Sequence, residues 1–243
     1  MKISILNLIP RFIDETTKQS IDRGLELAKW ADGQNFERYW VAEHHNSKSI
    51  SCSATDLIIG YILENTQRIK VGAGGVMLPN HTPFQVAERY GTLETLYPER
   101  VDLGIGRAPG TDIETAKLIY RDTYKEDNFK EAIRTLLSYF EDEAENFKVR
   151  PYPGVGTHVP IYILGSSMTS AHIAAQLGLP YSFAGHFSPN TVEVQNISRR
   201  IHSIEVFVQT IRHAWSICKR SLRERRRRAH QTTSHLHLLA NTK

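Results

Sequence analysis

Along the first 190 residues, short runs of β-branched and aromatic residues alternate with longer stretches whose apolar positions recur every three or four residues. Strands are predicted over residues 3–9, 39–42, 69–73, 101–105, 161–164 and 181–184. Between them the helix signals are specific. Thr16 and Gln19 have capping-box spacing ahead of Ile21, Leu25 and Ala28. Ser53 and Asp56 open a second helix, with Leu57, Ile58, Tyr61 and Ile62 as its apolar stripe. Thr82, Pro83 and Gln85 supply a cap, a proline at the first helical position, and a glutamine three residues after the cap. Residues 129–140 form an amphipathic stripe that must be buried on something. Gly178 ends the helix that precedes the sixth strand. Such alternation predicts an α/β fold with a parallel sheet and helical crossovers. Six β–α steps fit an incomplete TIM (β/α)8-type barrel, or an open doubly wound sheet.

Composition divides the chain at about residue 190. The whole has 40% apolar and 23% charged residues, enough to bury a core, and its net charge is +4. Residues 191–243 hold 11 of the 30 Lys+Arg and 3 of the 26 Asp+Glu, a local balance of +8. The first 190 therefore carry 19 basic and 23 acidic side chains, a balance of −4. All 15 glycines and all 10 prolines also precede residue 191. Two regions are expected: a β/α domain over 1–190 and an atypical basic tail over 191–243. In the tail, Ile201, Ile204, Val208, Ile211, Trp215, Cys218 and Leu222 repeat at steps of three and four, the seam spacing of a coiled coil. That predicts a helix from about 198 to 228. The same break in composition is what a reading-frame shift or a misjudged gene end produces, so both readings stand. Arg220, Arg223 and Arg225 to Arg228 would be solvated or would touch an acidic surface. Aromatic residues able to stack bases are nearly absent there, so no nucleic-acid partner is expected.

No apolar run approaches the ~20 residues of a membrane-spanning helix, and the amino terminus lacks the parts of a signal peptide. A cytoplasmic location and no membrane partner follow as expectations. Cys52 and Cys218 alone make neither a disulfide framework nor a structural zinc site.

In parallel β/α folds, sites gather at the carboxyl ends of strands. There this chain places Glu43-His44-His45, Gly74-Gly75, Gly104-Ile105-Gly106-Arg107, Gly165-Ser166-Ser167 and Gly185-His186. Glycines leave room for a flat ligand against backbone. Arg107 offers a planar donor fork suited to phosphate. Gly165-Ser166-Ser167 leads into a helix start, where free N–H groups favour a phosphate dianion. A phosphate pocket is predicted between strands four and five, and a ring site near strands two and three with the histidine pair beside it. Each element also has a plainer reading. The histidines could be structural, although metal-binding spacings such as His-Glu-x-x-His are absent, and no metal is expected. Ser166 and Ser167 could merely cap a helix, and Arg107 could pair with Glu88 or Asp112.

Four blocks carry a resemblance: Tyr39-Trp40-Val41-Ala42-Glu43-His44-His45-Asn46; the run from Val71 through Gly74-Gly75 to His81; Gly104 to Asp112; and Ile163 to Ser167. Together they resemble bacterial luciferase-like flavin-dependent monooxygenases, from Met1 to about Pro189. The resemblance implies a (β/α)8 barrel, usually dimeric. It also implies that reduced FMN, delivered by a separate flavin reductase, is used with O2 to oxygenate a small organic substrate. Carried over by position, His44 is the catalytic histidine beside the isoalloxazine and Glu43 its supporting carboxylate. Gly74 and Gly75 are the backbone against the ring, and Glu88 is a helix carboxylate near the site. Arg107, Gly165, Ser166, Ser167 and Ser170 form the phosphate cradle. Two other functions are consistent with the resemblance: hydride transfer with a deazaflavin, as in members of the same superfamily, and a catalytically inactive flavin-binding fragment.

Overall fold

Seven parallel strands follow one another across a single sheet in the order in which they occur in the chain. They are β1 (Ser4–Asn7), β2 (Arg38–Val41), β3 (Lys70–Met77), β4 (Val101–Gly106), β5 (Ile161–Gly165), β6 (Tyr181–Phe183) and β7 (Ile204–Glu205). The computed structural model describes residues 3–119, 128–185 and 204–205. These all fall in one unit, Met1–Gln209, and a second unit, Thr210–Lys243, lies outside the described residues. Parallel neighbours need a crossover. Helices α1 (Thr17–Gly33), α2 (Thr55–Glu64), α3 (Pro83–Leu96), α4 (Ile113–Ile119), α5 (Phe129–Phe140) and α6 (Met168–Leu177) lie in those crossovers. The sheet curls as an incomplete TIM barrel. Among the described residues no pairing joins β7 to β1.

Four of the five helix signals act where they were expected. Thr16 accepts a hydrogen bond from the Gln19 N–H, and the Gln19 side chain accepts one from the Thr16 N–H. Thr82 caps α3 through the Gln85 N–H, with Pro83 at the first helical position. Gly178 closes α6 with φ of 67°, a left-handed conformation that glycine adopts without steric cost. Helix α5 buries Phe129, Ile133, Leu136 and Phe140.

Three expectations need correction. Helix α2 is capped by Ala54 rather than Ser53, with no side-chain cap. It turns Ile59, Ile62 and Leu63 inward, while Leu57 is 72% exposed. Helix α4 was not predicted. In the tail, Ile204 and Glu205 form a seventh strand, pairing in parallel with Tyr181 and Ser182, rather than a turn of helix. The rest of the predicted 198–228 helix, and His186, lie outside the described residues.

Strand alternation sorts side chains between two environments. From β2, the Tyr39 hydroxyl donates to the Gly24 carbonyl of α1, on the helix side. Trp40 and Ala42 face the opposite way, into the barrel, where they pack with Leu6, Leu8, Tyr162 and Leu164. The site occupies the top of this inner space.

Candidate active site

A pocket of about 390 Å³ opens at the carboxyl ends of the strands. Its apolar wall comes from Leu6, Leu8, Trp40, Ala42, Leu164 and Phe183. His44, Gly74, Arg107, Gly165, Ser166, Ser167 and Ser170 also line it. The structure therefore gathers seven of the ten residues singled out above. The phosphate-type groups come from β4 and β5, and His44 and Gly74 from β2 and β3.

Gly74 is bare because its neighbours leave no space. A Cβ there would lie 2.8 Å from Cε3 of Trp40 and 2.9 Å from Cδ1 of Leu6. Backbone itself is thus the surface presented at this point. The Gly74–Gly75 peptide is cis. Gly75 does not line the pocket; its carbonyl accepts from the Glu43 N–H at 3.1 Å, tying β3 to the end of β2.

Arg107 is half-buried and has no ion pair among the described residues. Asp112 bonds instead to Asn46 and Thr115, so it does not neutralise Arg107. Ser167 is the N-cap of α6, yet its hydroxyl makes no capping bond, which leaves the first N–H groups of the helix without a side-chain acceptor. Its Oγ stands 3.5 Å from that of buried Ser170. A guanidinium, hydroxyls and a helix start on one rim form a cradle for a phosphate. Beyond them the apolar wall suits a flat ring. FMN has both parts, and the residues present fit it.

His44 and His45 do not act as a pair. Consecutive residues leaving a strand face opposite sides, and only His44 enters this pocket. Its Nδ1 is 3.4 Å from the Ala42 carbonyl, which favours the proton on Nδ1 and leaves Nε2 able to accept one. His45 faces a separate recess of about 250 Å³, shared with His81, Thr55, Asp56, Arg89 and Tyr90.

Glu43 lies between the two, fully buried. It accepts from His45 Nε2 at 2.7 Å, His81 Nε2 at 2.9 Å, Asn80 Nδ2 at 2.9 Å and the Met77 N–H at 2.9 Å. Burial pushes its carboxyl up, but the hydrogen bonds from His45, His81 and Asn80 outweigh burial and hold it down at about 2. Asn80 also donates to the Pro109 carbonyl at 3.0 Å. The carboxylate therefore fastens the segment after β2 to the end of β3 and the loop that follows it, and Asn80 extends the tie to the loop after β4. Asn80 and His81 were not singled out from the sequence, although their place after the third strand was the available signal. Glu88 sits half-buried on α3 and lines neither the pocket nor the recess.

Among the described residues, no cluster of three or more His, Cys, Asp or Glu is placed to hold a metal ion. No helix there is long and apolar enough to cross a membrane. Cys52 is buried with a free thiol.

The profile of the luciferase-like monooxygenase family matches residues 1–200. A protein of Bacillus subtilis (strain 168), YddN, is 51% identical over 192 residues, covering 79% of this chain and 57% of its own length. A luciferase-like monooxygenase of Escherichia coli (strain K12) is 46% identical over 188 residues, 77% of this chain and 56% of its own. Among solved structures, apo-MsnO8 superposes with a TM-score of 0.76 at 33% identity, covering 84% of this chain and 62% of that one. The chain thus spans a little over half the length of the curated relatives it matches.

Proposed function

Because the chain belongs to the luciferase-like monooxygenase family, we propose that it is an FMN-linked monooxygenase, using reduced flavin and O2 to oxygenate a small organic substrate. One observation carries this reading: a single cleft joins the cradle of Arg107 and Gly165 to Ser170 to a bare stretch of backbone at Gly74, with His44 beside it. Its volume of about 390 Å³ lies within the range of small-molecule sites, about 300–1,000 Å³.

Reduced FMN, if bound there, would supply the two electrons needed for one atom of O2 to enter the substrate and the other to leave as water. The chain's own residues do the rest. Arg107 and the Ser166–Ser167–Ser170 rim hold the phosphate by charge and hydrogen bonds. Leu6, Leu8, Trp40, Ala42 and Leu164 exclude water from the ring end, where a reactive oxygen species would otherwise be lost to solvent. His44, with Nε2 free to accept, takes up or returns a proton there. Glu43 touches none of these groups and acts by fixing the loops that carry them. A separate flavin reductase delivers the cofactor in this account, and the working unit is a homodimer.

The test is O2-dependent turnover with reduced FMN. His44→Ala is expected to reduce it by 10²-fold or more while leaving flavin affinity within a few-fold. Unchanged turnover would remove His44 from the chemistry. Exclusive use of a deazaflavin would replace oxygenation with hydride transfer, and tight FMN binding without any O2 consumption would make the chain an inert binder.

A further inference from the structure

Inside the barrel, beneath the pocket, lies a buried polar group that the proposed chemistry does not use. Strand register places Trp40, Gly72 and Asp102 side by side across β2, β3 and β4. A Cβ on Gly72 would come within 2.7 Å of the Asp102 Cβ and 2.3 Å of its carbonyl oxygen, so only glycine fits between. Over that bare position the Trp40 Nε1–H donates to Asp102 Oδ2 at 3.1 Å. Arg38 Nε lies 3.0 Å from the same oxygen, and Arg38 Nη2 donates to the Tyr162 hydroxyl at 2.9 Å. The Tyr162 ring meets the Trp40 indole at 5.1 Å and 71°, an edge-on contact. All four side chains are buried.

Such a group is a poor device for stability. Burying an ion pair costs several kcal/mol per ion, and apolar residues of similar volume often do as well or better. Asp102 Oδ1 has no hydrogen bond among the described residues, a further cost. What the arrangement does provide is orientation. The indole is held at its N–H by a carboxylate and against one side by a second ring. That indole also lines the pocket, and its Cε3 abuts the space a Gly74 side chain would need.

We propose that Asp102 is a positioning residue: by holding the indole of Trp40 it fixes the floor on which the flavin ring lies, without itself lining the pocket. This rests on the flavin reading above. The indole is fixed only while its N–H has an acceptor, so a side chain that keeps a carbonyl oxygen should keep the floor, and one that lacks it should release it.

The experiment compares Asp102→Asn, Asp102→Leu and Trp40→Phe with the unaltered protein. It reads the FMN dissociation constant by titration, the fluorescence lifetime of bound FMN (which a nearby indole shortens by electron transfer) and the urea midpoint. Asp102→Leu is expected to weaken FMN about tenfold and to lengthen the lifetime, whereas Asp102→Asn stays within about twofold on both. In a Trp40→Phe background, Asp102→Leu should add nothing further to the loss of affinity. If Asp102→Leu does not fold, Asp102→Ala takes its place, and it must show the same weaker binding and longer lifetime while Asp102→Asn does not. Asn and Leu variants that lower the urea midpoint alike, with affinity and lifetime per folded molecule unchanged, would show a merely structural role and overturn the inference. So would an Asp102→Leu effect that persists in Trp40→Phe. An unaltered protein with no FMN affinity overturns the pocket reading and this inference together; equal binding in the unaltered protein and every variant overturns this inference alone.

Discussion

Glu43 is where a single residue's chemistry reaches furthest. Its carboxyl is held at about 2 in the fold against an ordinary value of 4.5. A lowered folded pKa stabilises above the unfolded value and loses that contribution as pH falls through the folded one. The stability due to this group is therefore complete above pH 4.5 and drains away toward pH 2, a difference of roughly 3 kcal/mol. Glu43→Gln should lose about that much at pH 7 and show a flatter acid limb, both measurable by urea denaturation between pH 3 and 7. An unaltered acid limb would mean that the four donors do not stabilise the charge. At this scale the sequence was informative about identity and less so about direction. Gly74, Arg107 and the serines between 165 and 170 could be picked out by their place at strand ends, although each also had a plainer reading, and one pocket gathers them. The histidine pair could not be resolved in this way, since one step along a strand reverses the side a residue faces, and a doublet carries no mark of which member faces inward. Asn80 and His81 lay in a block that carries the resemblance but had no role assigned, because they act on a carboxylate 37 and 38 positions away.

Elements announced themselves by their ends more clearly than by their faces. The caps at Thr16 and Thr82 and the stop at Gly178 are local chemistry, complete within a few residues. Helix α2 lacks such a cap and is apolar nearly all round, so its stripe could be drawn on more than one side. Packing chose Ile59, Ile62 and Leu63. Ile59→Ala should therefore cost about 2–5 kcal/mol, while Leu57→Ala should stay within about 0.5 kcal/mol. A larger loss in urea midpoint from Leu57→Ala than from Ile59→Ala would place α2 in the orientation that its sequence first suggested. The strand at Ile204–Glu205 went unread for another reason: two residues are too short for any period, and their pairing with Tyr181 and Ser182 is set by the sheet.

At the scale of the whole molecule, the fold's contribution is to bring distant segments to one rim. Seven strands in consecutive order carry His44, Gly74, Arg107 and the Ser166–Ser170 turn to the same end of the sheet, although more than 120 positions separate the first from the last. The glycines of β3 and β4 keep the inner face low, and Trp40 and Tyr162 fill what remains beneath. The proposed function requires this rim to grip a flavin by its phosphate. FMN and riboflavin share a ring and differ in that phosphate alone, so their relative affinity isolates that requirement. Titration under anaerobic, reducing conditions should find FMN bound at least tenfold more tightly than riboflavin, with the preference largely abolished in Arg107→Ala and riboflavin binding left unchanged. Equal affinity for the two flavins, or a preference that survives the loss of Arg107, would contradict it.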